Sequence, residues 1–571
     1  MTPPHAPANT EKRYPAIYSL LSDICRALRV TFVPHHMRYL WAVSLIITLI
    51  ANPYVFNDGQ SVLMSSIGIL CSITLICGVI LLCVKYRFTS YILLPGIILF
   101  NAGLYIIQMR YGLTLNLSIL SSIAETNFQE AVHFFTLSSI IGFLLLTGFV
   151  YLAIYRIRQS LRPKTTWNTL ACIWILYGCC FLLSIPAASY STEPLYLFYT
   201  SDKAKGWPLV DFVMTYKLVN EYLTQDARSF NTLRDLPSCA EAFSQCDAPD
   251  NLTIVFHMGE SVRADHLPFN GYHRNTMPLL SKESNLISFP HTTSFGIVTR
   301  ISAIGMFTDA ELSQRRPEHS SFIDLFNKHG FHSVRIMDLS GESIHDYSLG
   351  ILTRNCQEIQ QTPPLHQTPG MIQERTALVM KEVLKKHGQS KQFYVIYNDG
   401  SHMAFRYPQQ AAHFVPASCN MDDPKAHLKE TINAYDNSIV DMDASIHCMI
   451  EALKDRPAIY FYCADHGVAL GEEGKMFQGH VLAPVYHPAM FIWYSDDFAM
   501  RYPEIINTLK KNRLKAVSHD HIFHTLLSLA SIRSVIVKDS LNLTSPNAKE
   551  TPAPIQPETL GEWGARQSHT T

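Results

Sequence analysis

The chain has 571 residues, 47% of them hydrophobic and only 16% charged, a balance low in charge for a water-soluble protein and typical of one partly solvated by lipid. A formal net charge of -1 leaves no basic excess to attract nucleic acid, which excludes that class of partner. The 25 histidines are many for this length, and neutral imidazole is the commonest ligand for transition metals.

Residues 1–38 are polar, without the pattern of a cleavable signal, and read as a cytoplasmic N-terminal segment. Five apolar runs follow within 39–188, at 39–56, 62–84, 88–109, 134–155 and 167–188. Each is close to the ~20 residues that cross a bilayer core, so a domain of five transmembrane helices is expected. Lys12, Arg13, Arg26, Arg29 and Arg38 precede the first run, Lys85 and Arg87 follow the second, and Arg156, Arg158, Arg162 and Lys164 follow the fourth. The other two loops carry only Arg110. By the positive-inside rule the N-terminus is cytoplasmic, and an odd number of spans exports the rest of the chain.

Residues 189–250 are polar and aromatic by turns, the composition of a linker at the membrane surface. From 251 to 540 apolar strand-like runs alternate with amphipathic segments, which predicts an α/β domain with a largely parallel sheet. Residues 541–571 read as a flexible tail. The exported part holds Cys239, Cys246, Cys356, Cys419, Cys448 and Cys463. Cys463 sits in an apolar strand and is expected as a buried thiol. Sequence does not fix the pairing of the others, although the local pair Cys239 and Cys246 is the expected bridge.

Three strand-like runs end in groups with metal-ligand chemistry. Leu252–Met258 ends in Gly259, Glu260 and Ser261; Phe393–Tyr397 in Asn398, Asp399, Gly400, Ser401 and His402; Ala458–Cys463 in Ala464, Asp465, His466 and Gly467. Each alone is an ordinary turn. In open α/β sheets, however, ligands bind beyond the carboxyl ends of the strands, so three such ends predict one site. Carboxylate and imidazole together suit Zn²⁺.

The stretch Gly259-Glu-Ser-Val-Arg-Ala-Asp-His266 and the following Asn270-Gly-Tyr-His-Arg-Asn-Thr-Met-Pro278 closely resemble the opening motif of the phosphoethanolamine transferases, the family of lipid A modifying enzymes and mobile colistin resistance proteins. The resemblance continues through Asn433-Ala-Tyr-Asp-Asn-Ser-Ile439, through Ala464-Asp-His-Gly467 with Gly471-Glu-Glu-Gly474, and through Glu125-Thr-Asn-Phe-Gln-Glu-Ala131 between the third and fourth runs. It implies an N-terminal five-helix transmembrane domain plus a C-terminal α/β/α sandwich of the alkaline phosphatase/sulfatase type, held in the bacterial inner membrane with the catalytic domain in the periplasm. It also implies zinc-dependent transfer of phosphoethanolamine from phosphatidylethanolamine to an envelope glycolipid or glycan, lipid A or the lipopolysaccharide core first, through a phospho-threonine intermediate. Carried over by position, the metal ligands are Glu260, Asp465, His466 and Thr299, with Thr299 also the nucleophile. His402 matches a residue near the phosphoethanolamine group, and Asn127 and Glu130 resemble donor-contacting residues.

Two departures stand out. The two cysteines usual in the family's nucleophile loop are replaced by Phe295 and Gly305, which implies a less rigid loop. The family histidine after the Gly-Glu-x-Gly motif aligns with Gln478, leaving Gln478 and His480 as alternative substrate contacts. Two other readings share the topology: a phosphoglycerol transferase of the lipoteichoic-acid synthase type, and a membrane-anchored pseudoenzyme. The 433–439 and 125–131 motifs weigh against the first, and the joint presence of Glu260, Thr299, Asp465 and His466 against the second. A sulfatase is disfavoured because no Cys-x-Pro-x-Arg motif occurs.

Overall fold

The computed structural model describes residues 40–45, 62–86, 91, 136–160, 171, 174–175, 178, 233–337, 345–363, 373–398, 400–421 and 423–551. The chain divides into two compact units, one containing the described helices before residue 218 and the other the described residues from 233 onward.

In the first unit, helix α1 (Val62–Lys85) and helix α2 (Leu137–Ser160) cover the second and fourth apolar runs. Their shared seam holds Cys77, Ile80, Leu81, Val84, Val150 and Ile154, while Leu137, Leu144, Leu145 and Leu152 are exposed. Such exposed leucines suit a lipid-facing surface. Arg158 donates from Nε to the Val84 carbonyl at 3.0 Å and from Nη2 to the Cys83 carbonyl at 2.7 Å. A cation thus satisfies carbonyls of the last turn of α1, and the C-terminal ends of both helices lie together. Among the described residues one helical segment, Leu137–Arg156, meets the length and apolarity needed to cross a membrane. Most of the expected spans at 39–56, 88–109 and 167–188, and the residues Asn127 and Glu130, lie outside the described residues.

The second unit is built on a seven-stranded sheet. Its strands are β1 (Thr253–Gly259), β2 (Leu286–Ser288), β3 (His332–Met337), β4 (Glu358–Gln361), β5 (Gln392–Tyr397), β6 (Ala458–Ala464) and β7 (Met490–Tyr494), in the spatial order β2-β7-β6-β1-β5-β3-β4. Strands β6, β1, β5, β3 and β4 pair in parallel, and β7 pairs antiparallel with both β6 and β2. Every residue of β1 and β6 is buried, because helices cover both faces, and such strands read as unbroken apolar runs. Among the helices are α3 (Thr299–Phe307), α4 (Glu374–His387), α5 (Leu428–Glu451) and α6 (Asp520–Leu529). Aromatic rings fill one face: Phe256 meets Phe307, Phe322 and Phe461 edge to face, and Phe326 stacks on Phe393.

Both domain boundaries expected from composition are too narrow. Ser244–Cys246, in the expected linker, pairs antiparallel with Ile532–Ser534, and Cys239 lies in the main core. In the expected tail, Leu543 is fully buried and Asn512 Nδ2 donates to the carbonyls of Leu543 and Ser545. A few backbone pairings suffice to order polar segments that carry no apolar periodicity. The expected bridge is also absent: Cys239 Sγ faces the Ser321 carbonyl at 3.1 Å and Cys246 Sγ the Ala530 carbonyl at 3.6 Å. Cys463 is a fully buried thiol, as expected.

Candidate active site and metal centre

Strand register brings the ligands together. Gly259, the last residue of β1, pairs with Ala464, the last of β6, and Asp465 N–H donates to the Gly259 carbonyl at 3.0 Å. Glu260 and the Asp465-His466 pair therefore leave adjacent parallel strands side by side, all three buried. Glu260 Oε1 lies 3.6 Å from His466 Nε2, which lies 3.2 Å from Asp465 Oδ2. Helix α3 brings in Thr299 as its first residue, and the Thr299 hydroxyl donates to Glu260 Oε2 at 3.0 Å. The N-terminus of a helix presents free N–H groups and positive potential, suited to an incoming phosphate.

The donor set fits a cation. His466 Nδ1 lies 2.7 Å from the Gly467 carbonyl, which can only accept, so the proton is on Nδ1 and the Nε2 lone pair points inward. His466 Nε2 and Asp465 Oδ2 are buried and have no hydrogen-bond partner, an arrangement that costs free energy unless an ion sits between them. Burial opposes ionisation of both carboxyls. For Glu260 it is outweighed by the nearby His466 and His402 and by hydrogen bonds from Ser261 and Thr299, so this carboxyl lies below the ordinary range. For Asp465, burial and the charge of Glu260 together push the carboxyl above it. Two buried carboxyls this close titrate as a pair, and a bound divalent cation lets both ionise.

Several partners of this cluster had no sequence signal. Ser261 takes a left-handed conformation, φ 60°, and from it donates Oγ–H to Glu260 Oε1 at 2.7 Å and N–H to Asp465 Oδ1 at 3.0 Å. Tyr397, at the end of β5, donates to Glu260 Oε2 at 3.1 Å. His519 Nδ1 accepts from Phe295 N–H at 3.1 Å while Nε2 lies 3.1 Å from the Ala464 carbonyl, tying the Thr299 loop to the end of β6. Burial lowers the pKa of His519 to about 3, so this link is neutral.

The departures from the family pattern have structural answers. The ring of Phe295 packs on Gly305 so closely that a Cβ there would lie 2.4 Å from it. A large and a small residue interlock where the family usually has two cysteines, so the expected loss of rigidity is countered by packing. His480 turns back on its own loop, with Nε2 2.9 Å from the Met476 carbonyl. Gln478 instead reaches His402, Nε2 to Nε2 at 3.0 Å, from a turn in which Phe477 and Gly479 both have positive φ. Gln478 thus meets another predicted site residue.

The other motifs form the frame. Arg263 spans Asp265 at 2.7 Å and Glu472 at 2.6 Å, and Asp436 of α5 gathers His266 at 2.8 Å, Tyr272 at 2.9 Å and Arg274 at 2.8 Å. These bonds hold the loop after β1 against α5 and the 472 turn, which explains why motifs so far apart occur together.

Residues 73–203 match the family model described as phosphoethanolamine transferase EptA/EptB, and residues 253–532 match the sulfatase model. The phosphoethanolamine transferase EptA of Escherichia coli K12 is 28% identical over 312 residues, 50% of this chain and 54% of that protein, so the chain spans about half the length of the curated relatives it matches. The integral membrane protein lipooligosaccharide phosphoethanolamine transferase A of Neisseria meningitidis superposes with a TM-score of 0.69 at 20% identity, covering 93% of this chain and 98% of that one. The periplasmic domain of EcEptC from Escherichia coli, solved in complex with Zn, superposes with a TM-score of 0.50 at 19% identity over 56% of this chain and 94% of that one. Both parts of the chain therefore match what the phosphoethanolamine transferases combine, the family's own model over residues 73–203 and the sulfatase model over 253–532.

Proposed function

We propose that this protein transfers phosphoethanolamine from phosphatidylethanolamine to an envelope glycolipid, lipid A or the lipopolysaccharide core first, with Thr299 as the nucleophile. The observation that carries the reading is the Thr299 hydroxyl 3.0 Å from Glu260 Oε2, beside the partnerless Asp465 Oδ2 and His466 Nε2. Glu260, Asp465, His466 and Thr299 would hold Zn²⁺. The chemistry zinc supplies when bound is a lowered hydroxyl pKa and neutralisation of phosphoryl charge.

The chain's own residues do the rest. The Thr299 oxygen bonds to the donor phosphorus as the bond from phosphorus to the glyceride oxygen breaks, and the threonine proton ends on the departing diacylglycerol. In the second displacement an acceptor oxygen takes the phosphorus, and its proton returns to Thr299. Ser261 and Tyr397 hold the Glu260 carboxylate in one orientation throughout. His402 and Gln478 contact the phosphoethanolamine group, and Asn127 and Glu130 the donor. Five spans with the N-terminus in the cytoplasm place this chemistry in the periplasm. The Lys and Arg asymmetry of the short loops supports that orientation, and a periplasm-only reporter silent after Thr200 would reverse it.

The test is mass spectrometry of envelope glycolipids from cells with and without the protein. A gain of one phosphoethanolamine unit is expected, a gain of phosphoglycerol would favour the lipoteichoic-acid synthase reading, and no change in any glycolipid or glycan would favour the pseudoenzyme.

A further inference from the structure

At the opposite end of the sheet from Thr299, two histidines and a glutamate from three elements converge. His332 is the first residue of β3, Glu358 the first of β4 and His387 the last of α4. His332 Nε2 lies 3.0 Å from Glu358 Oε2, and His387 Nε2 lies 2.7 Å from the same oxygen. The two rings face each other with centroids 3.9 Å apart. The other carboxylate oxygen, Oε1, is held by Lys386 Nζ at 2.9 Å and Gln360 Nε2 at 2.8 Å. Those two donors turn Oε2 toward the imidazoles, as outer partners orient a ligating carboxylate. Partial burial opposes ionisation of Glu358, but hydrogen bonds from Lys386, His332, Gln360 and His387 outweigh it and keep the group anionic.

We propose that His332, Glu358 and His387 form a second divalent-metal site, suited to Zn²⁺, separate from the Thr299 centre. One nitrogen from each histidine and one carboxylate oxygen lie within 4.8 Å of one another. Two imidazoles and a carboxylate are a recurrent zinc set, with water as the fourth ligand. Tetrahedral ligands with bonds of about 2.0–2.1 Å stand about 3.3 Å apart, so the nitrogens need retreat only a few tenths of an ångström. Their side chains are 28% and 20% exposed, which leaves room for that shift and an open face for the water. Other carboxylate and histidine groups among the described residues lack this chemistry. At Glu283, His447 and Glu451, Lys454 Nζ already bonds both carboxylates, and Asp309, Glu318 and His319 offer a single imidazole.

The site has a structural use. Strand β4 is four residues long and, among the described residues, lies at the sheet edge and pairs only with β3. An ion joining β4, β3 and the end of α4 would fasten that edge without touching the reaction.

The experiment is zinc content per chain of the full-length protein in detergent, after dialysis against Zn²⁺ and then against metal-free buffer. The Glu358→Gln and His387→Ala variants are expected to hold one zinc fewer than the wild type while keeping transferase activity. Glu358→Gln keeps the size and shape of the side chain, and a metal-free Tm equal to that of the metal-free wild type shows that a loss of zinc there is not a folding defect. Added Zn²⁺ should raise the Tm of a His466→Ala variant, and not that of His466→Ala with Glu358→Gln, because only an intact triad binds the ion in the folded state. Equal zinc content in wild type, Glu358→Gln and His387→Ala would overturn the proposal and leave the triad a hydrogen-bonded clamp.

Discussion

The two halves of the candidate active site are built differently. Glu260, Asp465 and His466 leave neighbouring strands whose register is fixed by a ladder of seven paired residues, so their geometry follows from the sheet. His402, Gln478 and His480 come from loops, and the 477–479 turn depends on positive φ values rather than on a ladder. Ligands that a whole sheet must move to displace keep their identity, whereas a loop residue is exchanged at little cost to the fold. This chain departs from the family pattern on the loop side, at residue 478 and around Thr299, and matches it on the strand side.

The largest expected effects fall on the nucleophile and on the strand half beside it. Thr299→Ala should lower transfer by roughly a thousandfold or more while leaving the protein folded, since a nucleophile's removal costs far more in rate than in stability. Asp465→Asn should lower it comparably and also lower zinc content, because a neutral amide is a poor ligand. Near wild-type transfer in either variant, measured with a fluorescent phosphatidylethanolamine analogue, would remove that residue from the site.

The loop half should respond less. Gln478→Ala should reduce transfer about tenfold, the scale on which a residue orienting another functional group acts. His480→Ala should stay within about twofold in rate and lose on the order of 1 kcal/mol of stability with its hydrogen bond to Met476. A reversal of that order would mean that His480 leaves Met476 when substrate binds.

Packing around the nucleophile loop sharpens the contrast further. Gly305→Ala would place a methyl 2.4 Å from the Phe295 ring and should destabilise the protein by about 1–3 kcal/mol in denaturant unfolding. Asp520, next to the loop-tethering His519, gives the smallest effect. Burial raises its pKa to about 7 from an ordinary 3.8, with Leu312 N–H bonded to Oδ2 and Oδ1 left without a partner. The folded state therefore holds a proton that the unfolded chain gives up, and stability falls as pH rises from about 4 to about 7. Asp520→Asn should be more stable than wild type at pH 8 by on the order of 1 kcal/mol, with the gap closing toward pH 4. A gap that widens on acidification would contradict the sign.

The strand half was legible in the sequence because a buried parallel strand is an apolar run with a visible end, and the ligands stand at those ends. Thr299 was legible only through resemblance, since its apolar loop resembles any buried segment. Tyr397, Ser261 and His519 were not legible: the first depends on which strand neighbours β1, the second on a backbone angle, and the third on a contact across more than two hundred residues. The helices Val62–Lys85 and Leu137–Ser160 were readable from the length and apolarity of their runs. The segments 233–250 and 541–551 were misread because composition records hydrophobicity and not backbone pairing. Cys239 and Cys246 were paired by proximity in sequence, but the fold sends their side chains to different partners.

The central claim is that Thr299 carries the transferred group. The full-length protein, incubated with phosphatidylethanolamine and no acceptor, should be analysed by intact-mass and peptide mass spectrometry. A single phosphoethanolamine adduct on the peptide containing Thr299, absent from Thr299→Ala and discharged on adding glycolipid, is the predicted result. An adduct on another residue, or full turnover with no adduct at any time, would contradict it.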